Sequence, residues 1–118
     1  MKQVFVHEAE LEFAPDADHR APGGAITLLL CGHWEHEGRC RWPHHTAVEQ
    51  HAGTRITVRT VFASDPDEEP LIRDRIATAL KAGRLNGPSG LAAWTVVSQA
   101  VSTLRADEQP LAARLAEY

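Results

Sequence analysis

The sequence predicts an α+β domain: roughly five strands in a mostly antiparallel sheet, with two helices (66–82 and 107–117) on one face. Three observations predict it. Residues 3–13 end in alternation, with Ala9, Leu11 and Phe13 on one side and Glu8, Glu10 and Glu12 on the other, as in a half-buried strand. Residues 55–63 (Arg-Ile-Thr-Val-Arg-Thr-Val-Phe-Ala) are dominated by β-branched side chains. Between 65 and 83 the period changes to that of a helix, with Leu71, Ile72, Ile76, Ala79 and Leu80 on one stripe.

After the first strand, 14–24 reads as a loop because Pro15, Pro22, Gly23 and Gly24 fall within it. Ala25–Glu35 reads as a second strand, central because Ile26–Leu30 is apolar on both faces. Glu37-Gly38 marks a turn, and Arg39–Trp42 a short returning strand that Pro43 stops. The strand at 55–63 follows. Asp65-Pro66 opens the first helix, since proline is tolerated in the first turn, and Asp67, Glu68 and Glu69 meet the positive end of its dipole. Gly83 suits its end.

Asn86-Gly87-Pro88-Ser89-Gly90 is a turn. Residues 94–104 carry both a helical stripe (Trp94, Val97, Val101, Leu104) and β-branched strand formers. An internal echo favours the strand: Asp67-Glu68-Glu69-Pro70-Leu71 resembles Asp107-Glu108-Gln109-Pro110-Leu111, and the first copy follows a strand and enters a helix. By analogy 94–104 is a strand and 107–117 a helix.

With 118 residues, 43% hydrophobic and 24% charged, the chain is expected to form one domain, 1–118, with its own core. A net charge of −4 without a lysine and arginine cluster argues against nucleic acid as a partner. No stretch has the roughly 20 apolar residues of a membrane span. The first residues become charged too early for a secretory leader, so a cytoplasmic location with reduced thiols is expected.

Chemistry concentrates in one segment. Residues 31–51 hold both cysteines and five of the seven histidines. Imidazole and thiolate are the ligands zinc prefers, and a site needs three or four of them at one point. If Glu37-Gly38 is a two-residue turn, Cys31, His33, Cys40 and His44 share one face of a hairpin spanning 31–45, with His36 and His45 as substitutes. A three-residue turn instead places His36 opposite Cys40 and turns Cys31 and His33 to the other face. The first expectation is therefore a small metal-binding domain with zinc as its cofactor.

The alternative is a non-catalytic oligomerisation or protein-interaction module, with Trp34 and Trp42 at an interface of a homo-oligomer or with a partner protein. A second alternative is a small enzyme at a subunit boundary, using Cys40 beside His36 or His44, or a metal-bound water beside Glu35 or Glu37. The plainest reading makes Cys31 a buried thiol and His44-His45 a polar loop.

Overall fold

The structure, a computed structural model, describes residues 2–15, 17–31, 42–51, 53–87 and 90–117. Its elements run β1 (Gln3–Phe13), α1 (Ala21–Cys31), β2 (His44–Gln50), β3 (Arg55–Ser64), α2 (Glu69–Lys81), β4 (Arg84–Gly87), β5 (Gly90–Ser102) and α3 (Gln109–Ala116). The five strands form one antiparallel sheet in the order β2-β3-β1-β5-β4. Without β4 and α3 this is the β-α-β-β-α-β split arrangement, in which the first strand sits mid-sheet and each β-α-β unit has a strand between its own two.

β1 explains why helices cover both faces. Phe5, Ala9, Leu11 and Phe13 point one way and join a core with Ile56, Val58 and Phe62 of β3 and Ile72, Ile76, Ala79 and Leu80 of α2. Val4 and Val6 point the other way and pack with Val61, Ala63, Leu111 and Leu115. Both β1 and β3 thus present apolar groups on opposite faces. α1 and α2 cover one face and α3 covers the end of the other. The expectation of two helices on one face is corrected: there are three α-helices among the described residues, and 66–82 and 107–117 lie on opposite faces.

The expected strand at Ala25–Glu35 is also corrected. As far as Cys31 it belongs to α1, which buries Ala21, Pro22, Ala25, Ile26 and Leu30. A short run that is apolar all round cannot distinguish a buried strand from a buried helix. Pro22, read as a loop marker, is placed where the missing N–H costs nothing, in the first helical turn. The Asp18 carboxylate accepts the Arg20 backbone N–H at 2.9 Å, the local turn from which the helix starts.

β2 and β4 were not anticipated. β2 has few apolar residues because it is an edge strand, and β4 has only four residues. The 3–13, 55–63 and 94–104 strands, and the acidic helix starts, agree with the structure within a few residues. The echo is structural too, since Pro66–Glu68 and Ala106–Glu108 each make one 3-10 turn before their α-helix. Leu71, placed on the buried stripe of the first helix, is exposed.

Gly83 ends α2 with φ +71°, and a Cβ there would stand 2.9 Å from the Trp94 carbonyl oxygen. Trp94 closes the same junction: its backbone N–H donates to Gly83 O at 2.9 Å and its indole N–H to Leu80 O at 2.8 Å. The Leu80 carbonyl thus accepts the indole N–H in addition to the Gly83 N–H at 3.1 Å.

His7 is a polar residue in this core, 6% exposed on β1. Its Nε2 lies 2.7 Å from Gln99 Oε1, while Nδ1 is buried with no hydrogen-bond partner among the described residues. Burial holds its pKa below the ordinary imidazole value of 6.5; the Gln99 hydrogen bond opposes this, and the positive charge of Arg73 adds to it. The unfolded chain therefore takes up this proton first as pH falls, and stability drops below about pH 6.5 until the folded chain is protonated as well. Urea unfolding of the wild type and His7→Leu between about pH 7.5 and about pH 5.5 checks this, since the variant is expected to lose less stability across that interval.

Candidate functional site

The segment singled out by its cysteines and histidines does not form the expected hairpin in its described part. Cys31 is the last residue of α1 and His44 the first of β2, so the two are not cross-strand partners. Cys31 is disulfide-bonded and so is not a free thiol in this structure. The other cysteine in the chain, Cys40, lies outside the described residues together with His33, Trp34, His36 and the Glu37-Gly38 turn.

His44 faces the helices. Its Nε2 lies 3.1 Å from the Thr27 hydroxyl of α1, and its Nδ1 lies 3.0 Å from Trp42 O. His45, the next residue on the strand, faces the opposite side of the sheet. Cys31, His44 and His45 are thus not gathered at one point. No group of three or more His, Cys, Asp or Glu side chains suited to a metal ion occurs among the described residues.

Trp42, expected at an interface, is packed inside the chain at 2% exposure. Its indole N–H donates to Glu68 Oε2 at 3.2 Å, and the Arg75 guanidinium lies 4.8 Å from its ring centre.

The sheet face away from α1 and α2 carries a polar network. Register places Glu8 opposite Arg59, Glu10 opposite Thr57 and Glu12 opposite Arg55. The Thr57 hydroxyl donates to Glu10, and His51 Nε2 lies 2.6 Å from the same hydroxyl. Thr54 and Arg55 both donate to Glu12, and together they hold its carboxyl below the usual carboxylate range.

Arg59 is the centre of the network and only 2% exposed. Its Nε and Nη2 grip the Glu108 carboxylate at 3.0 and 2.7 Å. Nη1 donates to Glu8 at 3.3 Å and Ser102 Oγ at 3.0 Å, and Nη2 also donates to Thr103 O at 2.9 Å. All five guanidinium N–H groups are therefore committed. Those bonds hold the Glu108 carboxyl below its ordinary value, and burial partly opposes them.

Beside this clamp a cleft of about 240 Å³ opens between β2, β3 and α3, with Val61 and Leu111 among its apolar lining and His45, Glu49, Arg105 and Asp107 among its polar lining. Arg105 Nη1 reaches Glu49 at 2.7 Å across it. With Arg59 saturated and Arg105 paired, the observed role of the charges is to fasten α3 and the preceding turn to the sheet. The sequence carried a signal for this, because a charged residue inside the β-branched run 55–63 needs partners when buried.

A second feature lies at the sheet margin. β4 pairs with β5 only over Gly90–Ala93, and the Trp94 N–H extends that contact to Gly83. From Thr95 to Ser102 the inner edge of β5 pairs with β1, while no strand among the described residues pairs with its outer edge. Val97 and Val101 on this stretch are 50% and 68% exposed. No charged residue occurs between Leu91 and Leu104. A β-bulge near Val97 shifts the register with β1 between Glu10 and Leu11.

Comparison with protein-family models, with curated proteins and with solved structures finds no match. No helix among the described residues is long and apolar enough to cross a membrane.

Proposed function

We propose that this chain is a protein-association module that accepts a β-strand along the outer edge of β5. The supporting observation is that edge: along residues 95–102 no strand among the described residues pairs with the outer side, Val97 and Val101 are exposed, and the segment from Leu91 to Leu104 itself carries no charged residue. Exposed sheet edges are templates for another strand, and folded proteins ordinarily guard them with lysine, proline, short length or a bulge. Of these devices only the bulge occurs between 95 and 102. Strand addition supplies affinity through main-chain hydrogen bonds and specificity through alternate side chains.

The test is hydrogen–deuterium exchange of the whole chain with and without an excess of a synthetic peptide carrying residues 95–103. Protection of β5 amides by the peptide, but not by a scrambled peptide, is the expected result. Val101→Lys is expected to weaken that binding at least about tenfold, because a buried valine contributes about 1.5–3 kcal/mol and a charge replaces it. Its effect on folding is expected to stay within about 0.5 kcal/mol, as for other exposed positions. Equal exchange with either peptide overturns the reading.

A further inference from the structure

We infer that His7 makes residues 98–101 of β5 a pH-operated flap, closed on β1 while the imidazole is neutral and bowed away from it once the imidazole is protonated.

His7 sits on the central strand, with Thr60 of β3 opposite it on one side and Val101 of β5 on the other. Only 6% of the residue is exposed. Gln99 Oε1, a carbonyl oxygen, can only accept a hydrogen bond. At 2.7 Å it therefore assigns the proton of the neutral ring to Nε2 and the lone pair to Nδ1. Nδ1 is the atom that takes the second proton, and it is buried with no hydrogen-bond partner among the described residues. A buried donor without an acceptor is costly, and a buried charge more so.

The charged group that α2 brings to the ring is a cation, Arg73, which opposes the proton. Arg73 is held in place: Nη1 donates to Val6 O at 2.9 Å, Nε donates to Glu69 at 2.7 Å, and the guanidinium lies 5.4 Å from the Phe62 ring centre. From β3 and β5 the facing groups are the uncharged Thr60, Gln99 and Val101. On β1 itself the adjacent Glu8 points to the opposite face of the sheet, where it meets Arg59.

Protonation must therefore displace one of the elements around the ring, and they differ in how firmly they are held. α2 is anchored by Ile72, Ile76 and Leu80, each 0% exposed. β3 lies between β1 and β2. Residues 98–101 are held least: among the described residues they pair with β1 alone, with Ser98, Ala100 and Val101 exposed and Gln99 half-buried. Segments with few buried apolar contacts open locally at low free energy. Both ends of this one are fixed. On the far side of the bulge near Val97, Trp94 is bonded to Gly83 and Leu80; at the other end, Arg59 donates to Ser102 Oγ and Thr103 O. The stretch between them can bow outward without leaving the fold, which withdraws Gln99 and Val101 and brings water to the ring.

The test is amide hydrogen exchange of the full chain, followed by NMR at pH 7.5 and pH 5.5 and corrected for the pH dependence of exchange in unfolded peptides. With the flap open, the ring protonates near its ordinary 6.5; with it closed, the ring resists. The opening constant therefore rises as pH falls through 6.5, with about tenfold as the limit at pH 5.5. Protection at 98–101 is expected to fall severalfold within that limit. Its dependence on low urea is expected to be shallow, because a local opening exposes little surface, whereas β3 amides follow urea steeply with unfolding of the whole chain. His7→Gln, uncharged at both pH values, is expected to abolish the pH difference. Arg73→Gln is expected to move the imidazole titration of His7 toward 6.5 and to shrink that difference.

Protection at 98–101 that is unchanged with pH overturns the flap, as does a pH effect that persists in His7→Gln. A pH-driven loss at 98–101 that steepens with urea as much as in β3 is global unfolding and also overturns it. Should a variant fail to fold, the wild-type exchange pattern and the imidazole titration decide, since a His7 titration at or above 6.5 removes the driving force.

Discussion

Arg59→Ala is expected to lower the free energy of unfolding by about 2–4 kcal/mol, because it removes a buried, fully bonded side chain and leaves the partly buried Glu108 and Glu8 carboxylates without their cation. Five donors are lost at once, and the acceptors they leave come from three parts of the chain: Glu8 on β1, Ser102 and Thr103 at the end of β5, and Glu108 before α3. Glu108 is affected most, since two guanidinium nitrogens hold it. With that grip gone, Leu111 and Leu115 are the main anchors of α3 on Val6, Val61 and Ala63. Urea unfolding followed by circular dichroism measures the change; a loss below about 1 kcal/mol would mean that the cluster is held by its apolar contacts.

The same cluster sets an acid limit. The Glu108 carboxyl is held below its unfolded value of 4.5 in the folded chain, so its contribution is complete above about pH 4.5 and is lost as pH falls through the lower, folded value. Arg59→Met is expected to flatten that acid limb.

Trp42→Ala is expected to cost about 3–5 kcal/mol, the range for removing a buried aromatic side chain. The indole is 2% exposed, packs in the core formed with Phe62, Ile72 and Ile76, and gives its N–H to Glu68. Arg75 lies over its ring and adds a cation–π contact. Trp42→Phe keeps most of the packing and loses the hydrogen bond, so a change of about 1–2 kcal/mol is expected. Thermal unfolding and sedimentation, run on the same samples, separate two roles. A packing role lowers Tm and leaves the association constant of the folded chain unchanged. An interface role would do the reverse.

The strands of strongest pattern were legible in the sequence because their signal is local. Glu8, Glu10 and Glu12 alternate with Ala9, Leu11 and Phe13, and β-branched residues fill 55–63. The repeated acidic turn before proline identified the last strand and helix, since both copies follow a strand and both make a 3-10 turn first.

What stayed hidden depends on distant partners. Ile26–Leu30 is apolar in every direction, so only its packing against α2 shows that it is a helix. α3 lies opposite α2 because Val4 and Val6 are out of phase with Leu11 and Phe13, a readable cue whose meaning needs a helix to answer it.

The candidate site was less legible. Density of histidine and cysteine attracted attention to 31–51, yet the described members of that set are dispersed between a helix end and both faces of an edge strand.

The central position of β1 has a consequence for how the chain acquires its shape. One side of β1 is completed by β3, but the other waits for β5, and the His7–Gln99 contact spans 92 positions. During synthesis the middle of the sheet therefore remains a half-finished margin until the last third of the chain has emerged. Such distant closures are slow, and partly folded sheets of this kind are prone to sticking together. The Glu8, Glu10 and Glu12 row gives the waiting strand three negative charges that repel its counterpart on a neighbouring nascent chain. Neutralising these glutamates is expected to lower refolding yield as well as to remove their native hydrogen bonds from Arg59, Thr57 and Arg55.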